Sequence, residues 1–245
     1  MQTGLLHTRR EFLFYSACWF PFFWNIGTVK LADIRFRVRK RGNSARRYLL
    51  IHGDESTARQ VLNEHMRTAH GVAHLVTNKT RYVKFQSGKI DPNRLFSRVG
   101  AEKNLRTLNP NWSEEHLMRA LDRLDRNRPK LLHALLPPQN GLLVALHNNA
   151  RGYSMQDEIP ISDRTALNAP NHPHEFMLCT DPADFELLAR GPYNVLLQNT
   201  GPKEDDGSLS RLTARQGVRY VNIEAGIGKL QEQRDMLAFL ESVLP

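Results

Sequence analysis

Cysteine is scarce in this sequence, whose 245 residues contain two, Cys18 and Cys179. Cys18 lies in an N-terminal segment that we interpret as a leader, so the remaining chain has one cysteine and can form no internal disulfide. Cys179 ends a short apolar stretch, and no catalytic base is identifiable for it. It is therefore expected to be a small buried hydrophobe rather than a nucleophile.

The sequence also lacks internal repeats, low-complexity tracts and long linkers. Roughly 220 residues follow the leader, which is enough for one domain with a sizeable core. We therefore predict an N-terminal segment at residues 1–27 and a single domain at residues 28–245.

The apolar run at residues 12–26 is shorter than the about 20 residues of a transmembrane helix. It follows Thr-Arg-Arg-Glu-Phe-Leu at residues 8–13, which resembles a twin-arginine export signal. This combination predicts a signal peptide and an exported, periplasmic protein. Because no clean small-residue cleavage site follows, a retained membrane anchor is one alternative. A strand or helix packed on the domain is another.

Acidic residues are outnumbered, with 25 Asp and Glu against 34 Lys and Arg, for a net charge of +9. Residues 34–39 alternate apolar side chains with Arg35, Arg37 and Arg39, which predicts a half-buried strand with a basic face. Residues 40–44 then predict a hairpin turn into the next strand. The basic face indicates either a solvated edge strand or attraction to an anionic wall polymer, membrane lipid or acidic peptide. Nucleic acid is not an expected partner, because the chain has no known binding motif and no aromatic interleaving.

A polar turn follows the apolar run at residues 48–51, which is typical of a buried strand. His52 and Glu55 lie on this turn, and a helical apolar pattern begins directly after it. Ligands bind in α/β sheets at such carboxyl ends of strands. An imidazole and a carboxylate suit zinc, and a catalytic zinc takes a third protein ligand. Taken alone, the pair favours a helix-capping turn with a solvated glutamate over a metal site.

Three later stretches add polar residues at comparable positions. Asn93 and Arg94 lie in the sequence Asp-Pro-Asn-Arg, His147 ends an apolar strand pattern, and Glu224 ends another. Apolar strands that alternate with helices predict an α/β fold with a mixed, largely parallel sheet between helix layers.

These four motifs, in this order, resemble those of the zinc metallocarboxypeptidases and their relatives, the succinylglutamate desuccinylases and aspartoacylases. The resemblance extends over most of the chain after about residue 45. It implies a twisted sheet of about eight strands between helix layers. It also implies one zinc ion per chain, held by His52, Glu55 and His147.

The same resemblance implies the remaining roles. Glu224 would be the general base, and Arg81 would stabilise the oxyanion, although no tight motif fixes Arg81. Asn93 and Arg94 would bind a terminal carboxylate of the substrate. The substrate-contacting tyrosine has no matching motif, and Tyr153 and Tyr193 are the two unassigned candidates.

The implied activity is hydrolysis of an amide or peptide bond next to a terminal carboxylate, by a carboxypeptidase that acts on exported or cell-wall peptides. Two alternatives stay open at this point. One is a zinc-dependent deacylase of a small N-acyl amino acid, and the other is a non-catalytic exported binding or scaffold protein.

Other histidines are expected to be structural. His70 and His74 flank or occupy a strand pattern at residues 72–77, where side chains four positions apart are well separated. The sequence His-Pro-His-Glu at residues 172–175 indicates a surface loop rather than a second metal site. It lies in a long stretch without clear periodicity, at residues 148–174, which we expect to border the active site.

Overall fold

The computed structural model describes residues 25–149, 152–200 and 204–245. Within these ranges the chain forms eleven strands and seven helices. The strands are β1 (Asn25–Leu31), β2 (Ile34–Arg41), β3 (Arg47–Leu50), β4 (Gly71–Val76), β5 (Val83–Phe85), β6 (Gly88–Ile90), β7 (Leu143–Asn149), β8 (Arg164–Leu167), β9 (Phe176–Cys179), β10 (Asn194–Leu197) and β11 (Tyr220–Gly226). The helices are α1 (Ser56–His65), α2 (Arg98–Leu108), α3 (Glu114–Leu135), α4 (Met155–Glu158), α5 (Pro182–Leu188), α6 (Leu209–Gln216) and α7 (Leu230–Val243).

Nine strands form one sheet in the order β1-β2-β4-β3-β7-β11-β9-β10-β8, and β5 and β6 form a separate hairpin. Four neighbouring pairs are parallel, namely β4 with β3, β3 with β7, β7 with β11, and β9 with β10. The other four pairs are antiparallel. The predicted mixed sheet is confirmed, although parallel pairing extends over half of it rather than most of it.

Helices cover both faces of the sheet, as predicted. On one face, α3 and α6 contribute Leu121 and Leu212 to a hydrophobic cluster. On the other face, α1 and α7 contribute Val61 and Leu240 to a second cluster. β7 runs between the two layers and all seven of its residues are buried, which explains its nearly continuous apolar sequence.

The N-terminal part of the sheet differs from the prediction. β2 is not an edge strand, because β1 pairs with it on one side and β4 on the other. The predicted hairpin between β2 and β3 is wrong, since β4 lies between these two strands. β1 begins at Asn25, so residues 25–27 belong to the sheet rather than to the leader.

Residues 1–24, with the twin-arginine motif and Cys18, lie outside the described residues. In the described part of the chain, every helix is too short or too polar to span a membrane.

His74 is a buried histidine of β4, with 2% of its surface exposed. Its Nδ1 has no hydrogen-bond partner in the described part of the chain. Burial, together with the positive charge of Arg47, lowers the pKa of His74 to about 4 from an ordinary 6.5. A buried imidazolium without a partner is costly, so the folded protein keeps this ring neutral.

His74 should make the protein less stable in acid. In the unfolded chain the imidazole of His74 takes up a proton near pH 6.5, whereas in the folded chain it does so only near pH 4. The free energy of unfolding therefore decreases as the pH falls from 6.5 to 4. The His74→Gln variant lacks this loss. Denaturant unfolding should show the stability of the wild type falling relative to His74→Gln by up to about 3 kcal/mol across the window. Parallel curves for the two proteins would contradict the buried neutral ring.

Candidate active site

The turn between β3 and α1 carries His52 and Glu55, and its path depends on Gly53. A Cβ atom at Gly53 would lie 2.4 Å from the carbonyl oxygen of Asn78 and 2.7 Å from the amide nitrogen of Thr80. The amide of Gly53 also donates to the carbonyl of Thr80 at 3.1 Å. This close backbone contact therefore requires glycine, and it brings the segment that carries Arg81 next to the turn.

His52, Glu55 and His147 come together in the folded chain. One potential ligand atom from each lies within 4.8 Å of the others, and all three residues are buried. The Nδ1 atom of His52 lies 2.8 Å from Oε1 of Glu55, and Nδ1 of His147 lies 3.2 Å from the same oxygen. Both imidazoles thus direct the same ring nitrogen toward the carboxylate, although the two histidines belong to different strand ends.

This arrangement fits a metal ion. Oε2 of Glu55 is buried and has no hydrogen-bond partner in the described part of the chain. An unpaired carboxylate oxygen in the interior is unfavourable, and a cation between the three side chains would satisfy it. Two imidazole nitrogens and one carboxylate are also a ligand set that catalytic zinc uses.

Asp91 orients His52 from the opposite side of its ring. Its Oδ1 lies 2.9 Å from Nε2 of His52 and accepts the amide of Asn93 at 2.8 Å, while Oδ2 pairs with Arg81 at 3.2 Å. A carboxylate on the outer nitrogen of a metal-binding histidine fixes its tautomer and leaves the inner nitrogen for the metal. The sequence prediction gave Asp91 no role, although Asp91 begins the motif that contains Asn93 and Arg94.

Opposite charges dominate the electrostatics of the cluster. Burial alone would lower the pKa of His52, but the charges and hydrogen bonds of Glu55 and Asp91 outweigh it and raise the pKa to about 9. Burial alone would raise the pKa of Glu55, but His147 and His52 outweigh it and lower the pKa to about 2. The pKa of Asp91 is likewise lowered, because the hydrogen bond from His52 and the charges of His52 and Arg81 outweigh burial.

Glu224 stands beside this cluster on β11. It pairs in register with His147 on β7, and it shares a strand face with Tyr220 and Asn222. Its Oε1 accepts a hydrogen bond from the amide of Asn222 at 3.0 Å. Burial, reinforced by the charge of Glu55 and opposed by His147, raises the pKa of Glu224 to about 7. A carboxyl group with a pKa near neutrality can both accept and return a proton.

Arg94 lines the same cleft, of about 420 Å³, as the His52, Glu55 and Glu224 cluster. Its guanidinium has a carboxylate neighbour within the chain, because Nη1 lies 3.6 Å from Oδ2 of Asp206. The pair is long and both side chains are about a third exposed, so it is a weak, solvent-screened contact.

Asn93 has one of its two polar atoms engaged. Its Oδ1 accepts the amide of Leu209 at the start of α6, at 3.1 Å. This bond fixes the side-chain amide, and its NH₂ group is left without a partner among the described residues. Asn93 therefore anchors the start of α6 and has its side-chain NH₂ group available as a donor in the cleft.

The predicted tyrosine candidates separate in the structure. Tyr153 lines the cleft and donates to Oε1 of Glu158 at 2.7 Å. Tyr193 instead packs against Phe239 of α7, at 5.6 Å between ring centroids, and is not among the cleft-lining residues. Tyr153 confirms that the stretch at residues 148–174 borders the cleft.

Arg211 is a cleft residue that the sequence prediction missed. It is 8% exposed, its Nη1 donates to Oε1 of Gln198 at 2.8 Å, and its buried Nε has no partner in the described part of the chain. Gln198 donates in turn to Glu158 at 2.7 Å. These partners are 13 to 40 positions apart in sequence, so no local motif could have indicated them.

Other polar residues singled out in the sequence lie apart from the cluster. His172 and His174 are exposed on a loop, and in the described ranges the only group of potential metal ligands is the one formed by His52, Glu55 and His147. Cys179 is buried, and burial raises the pKa of its thiol.

No protein-family model matches the chain, and no curated protein matches it. A solved structure from Shewanella denitrificans, provisionally assigned as a metallopeptidase, is 12% identical with a TM-score of 0.47, over 91% of this chain and 85% of that chain. A succinylglutamate desuccinylase/aspartoacylase from Rhodobacter sphaeroides is 14% identical with a TM-score of 0.46, over 93% and 68% of the two chains. An aspartoacylase family protein from Mesorhizobium loti is 16% identical with a TM-score of 0.42, over 86% and 61%.

The descriptions of these three structures name a metallopeptidase and the succinylglutamate desuccinylase and aspartoacylase group. All three TM-scores lie below 0.5.

Metal binding should stabilise the protein through the three converging side chains. Zinc added to metal-free protein should bind one ion per chain and, at 100 times its Kd, stabilise the fold by about 2.7 kcal/mol. His147→Ala should abolish both effects, while His172→Ala, which removes an exposed histidine, should keep them. Calorimetric titration and thermal unfolding measure the two quantities. Equal zinc binding by wild type and His147→Ala would contradict the site.

Proposed function

We propose that this protein is a metal-dependent hydrolase that cleaves an amide bond next to a carboxylate, with zinc as the metal. The observation that carries the proposal is the carboxylate of Glu55. Both imidazoles contact its Oε1, while its buried Oε2 has no hydrogen-bond partner among the described residues, and Glu224 lies beside the cluster. A structural cluster would have no reason to leave this oxygen unpaired. His52, Glu55 and His147 would hold the ion.

A bound zinc ion would act as a Lewis acid and bring the pKa of a water molecule near 7. Glu224 would take the proton from the attacking water and deliver it to the nitrogen of the leaving amine. Burial raises the pKa of Glu224, which favours the return of the proton to the leaving amine. Asn222 would keep the carboxyl group in position through its hydrogen bond to Oε1.

The arginines of the cleft would bind the negative charges of the substrate and of the transition state. Arg81, held by Asp91, would stabilise the developing oxyanion. Arg94 would pair with the substrate carboxylate through its planar fork, replacing the weak contact to Asp206, and the NH₂ group of Asn93 would add a donor. The substrate would therefore end in a carboxylate close to the bond that is cleaved.

A carboxypeptidase that acts on exported or cell-wall peptides is the first candidate for the finer activity. The twin-arginine-like motif at residues 8–13 supports export to the periplasm, with membrane anchoring as the alternative. The basic composition supports proximity to an anionic wall or membrane surface.

A deacylase of a small N-acyl amino acid is the second candidate, and Arg211 favours it. No carboxylate of the described residues lies within 4.0 Å of this buried cation, whose hydrogen-bonding side-chain partner is the neutral Gln198. An acidic amino acid would bring a second carboxylate to Arg211 while its first occupies Arg94. A screen of wall-type peptides against N-acyl amino acids separates the two candidates.

Glu224→Gln should separate catalysis from binding. The amide keeps the shape of the side chain but cannot accept the proton, so the rate should fall by about 10²–10⁴-fold while zinc binding is retained. Turnover is measured on the substrates that the screen selects, and zinc content by elemental analysis.

The matched control is Glu186→Gln, an exposed carboxylate of α5 outside the cleft, which should keep the wild-type rate. Normal turnover in Glu224→Gln would reject this mechanism. Loss of zinc would instead make Glu224 a ligand. A wild-type protein that binds no zinc and cleaves no substrate would be a binding or scaffold protein.

Arg94→Lys should weaken the use of substrates that end in a carboxylate. An ammonium group cannot reproduce the bidentate fork, so kcat/KM should fall by about tenfold or more. Substrates with an amide in place of the carboxylate should show no such difference between the two proteins. The control is Arg98→Lys, because Arg98 pairs with Asp122 and Asp125 on the surface. Equal kcat/KM in Arg94→Lys and wild type would show that Arg94 serves only its contact with Asp206.

A further inference from the structure

A second cavity, of about 580 Å³, lies on the other side of the turn that carries His52 and Glu55. It lies between β2 and α1, and we call it the basic cavity. The cationic residues that line it are Arg37 and Arg39 from β2, Arg59 from α1 and Lys79 from the segment after β4. One carboxylate, Asp54, also lines it. The lining therefore carries a clear excess of positive charge.

The strand geometry produces this concentration of charge. Side chains of β2 alternate, so Arg35, Arg37 and Arg39 share one face of the sheet. Arg37 pairs in register with Leu75 of β4, which also lines the cavity. The apolar residues of α1 pack on this face nearer the centre of the sheet, and the arginines of β2 lie at the margin of that packing.

Three cations of the basic cavity, Arg37, Arg59 and Lys79, lie apart from the carboxylates of the described residues. Arg59 donates to the carbonyl oxygens of Val76 at 3.2 Å and Asn78 at 3.3 Å, which are neutral groups. In the part of the chain that the structure describes, no carboxylate lies within 4.0 Å of the cationic groups of Arg37, Arg59 or Lys79. Burial and the charge of Arg37 both lower the pKa of Arg59, while Glu55 opposes them. The cations therefore repel one another.

We propose that the basic cavity binds a phosphate-type oxyanion, such as the phosphate group of a small metabolite or of a lipid headgroup. Cations that converge from a strand, a helix and a loop suit a tetrahedral dianion, which offers several acceptor oxygens in different directions. A single planar carboxylate offers fewer acceptor oxygens to such a set of donors. The volume of the cavity exceeds that of the ion itself, so a phosphate attached to a larger group also fits.

This site is separate from the cleft that holds Glu224, and it does not depend on the proposed hydrolysis. Asp54 lines both the cleft and the basic cavity. The turn with the candidate metal ligands is therefore a common wall between the two.

Titration of the full-length chain with inorganic phosphate tests the proposal. At low ionic strength, where screening is weakest, calorimetry should show saturable binding. Arg37→Gln and Lys79→Gln should each weaken this binding by about tenfold or more. Arg35→Gln is the matched control, because it removes the same charge from the same face of β2 but outside the cavity. It should leave the affinity within about twofold of the wild type.

Vesicles that contain an anionic phospholipid distinguish the two sources of phosphate. If Arg37→Gln binds the vesicles more weakly than the wild type and free phosphate competes with the vesicles, the ligand is a lipid headgroup. If the protein binds free phosphate but wild type and Arg37→Gln bind the vesicles equally, the ligand is a soluble phosphate compound. The N-terminal segment is present in every variant, so the comparison isolates the cavity. Absence of saturable phosphate binding would overturn the proposal. An equal loss of phosphate affinity in Arg35→Gln and Arg37→Gln would also overturn the proposal, because such a result would show diffuse attraction of phosphate to a basic surface.

Discussion

The parallel alignment of β3, β7 and β11 is the constraint on which the candidate active site depends. Parallel strands end at the same edge of a sheet, so the turn after β3 and the last residues of β7 and β11 meet there. The register places Glu224 directly beside His147, and the turn after β3 adds His52 and Glu55. A shift of one residue in β11 would turn Glu224 to the other face of the sheet.

Burying so many ionisable groups in one place is costly unless each charge is compensated. Two carboxylates, Asp91 and Glu55, flank His52, and Glu55 also contacts His147. The second oxygen of Glu55 has no partner among the described residues, and a metal ion fits there. The basic cavity lies on the far side of the same turn, and its lining carries an excess of positive charge.

Much of this arrangement could be predicted from sequence, because it depends on local patterns. The strand, polar turn and helix around His52 have distinct periodicities, and the apolar strand before His147 is nearly continuous. Partners brought together by tertiary structure have no such pattern. The contact of Arg94 with Asp206 and the chain from Arg211 to Glu158 were therefore missed. The pairing of β2 with β1 was missed too, and the first three residues of β1 were assigned to the leader.

Anomalous diffraction from crystals of the zinc-loaded protein tests the central claim most directly, because it locates the ion without reference to activity. The account predicts one zinc peak per chain, about 2.0–2.2 Å from Nδ1 of His52, Nδ1 of His147 and a carboxylate oxygen of Glu55. Glu224 should lie nearby without coordinating the ion. A peak at another cluster, or no peak between these three side chains, would contradict the account.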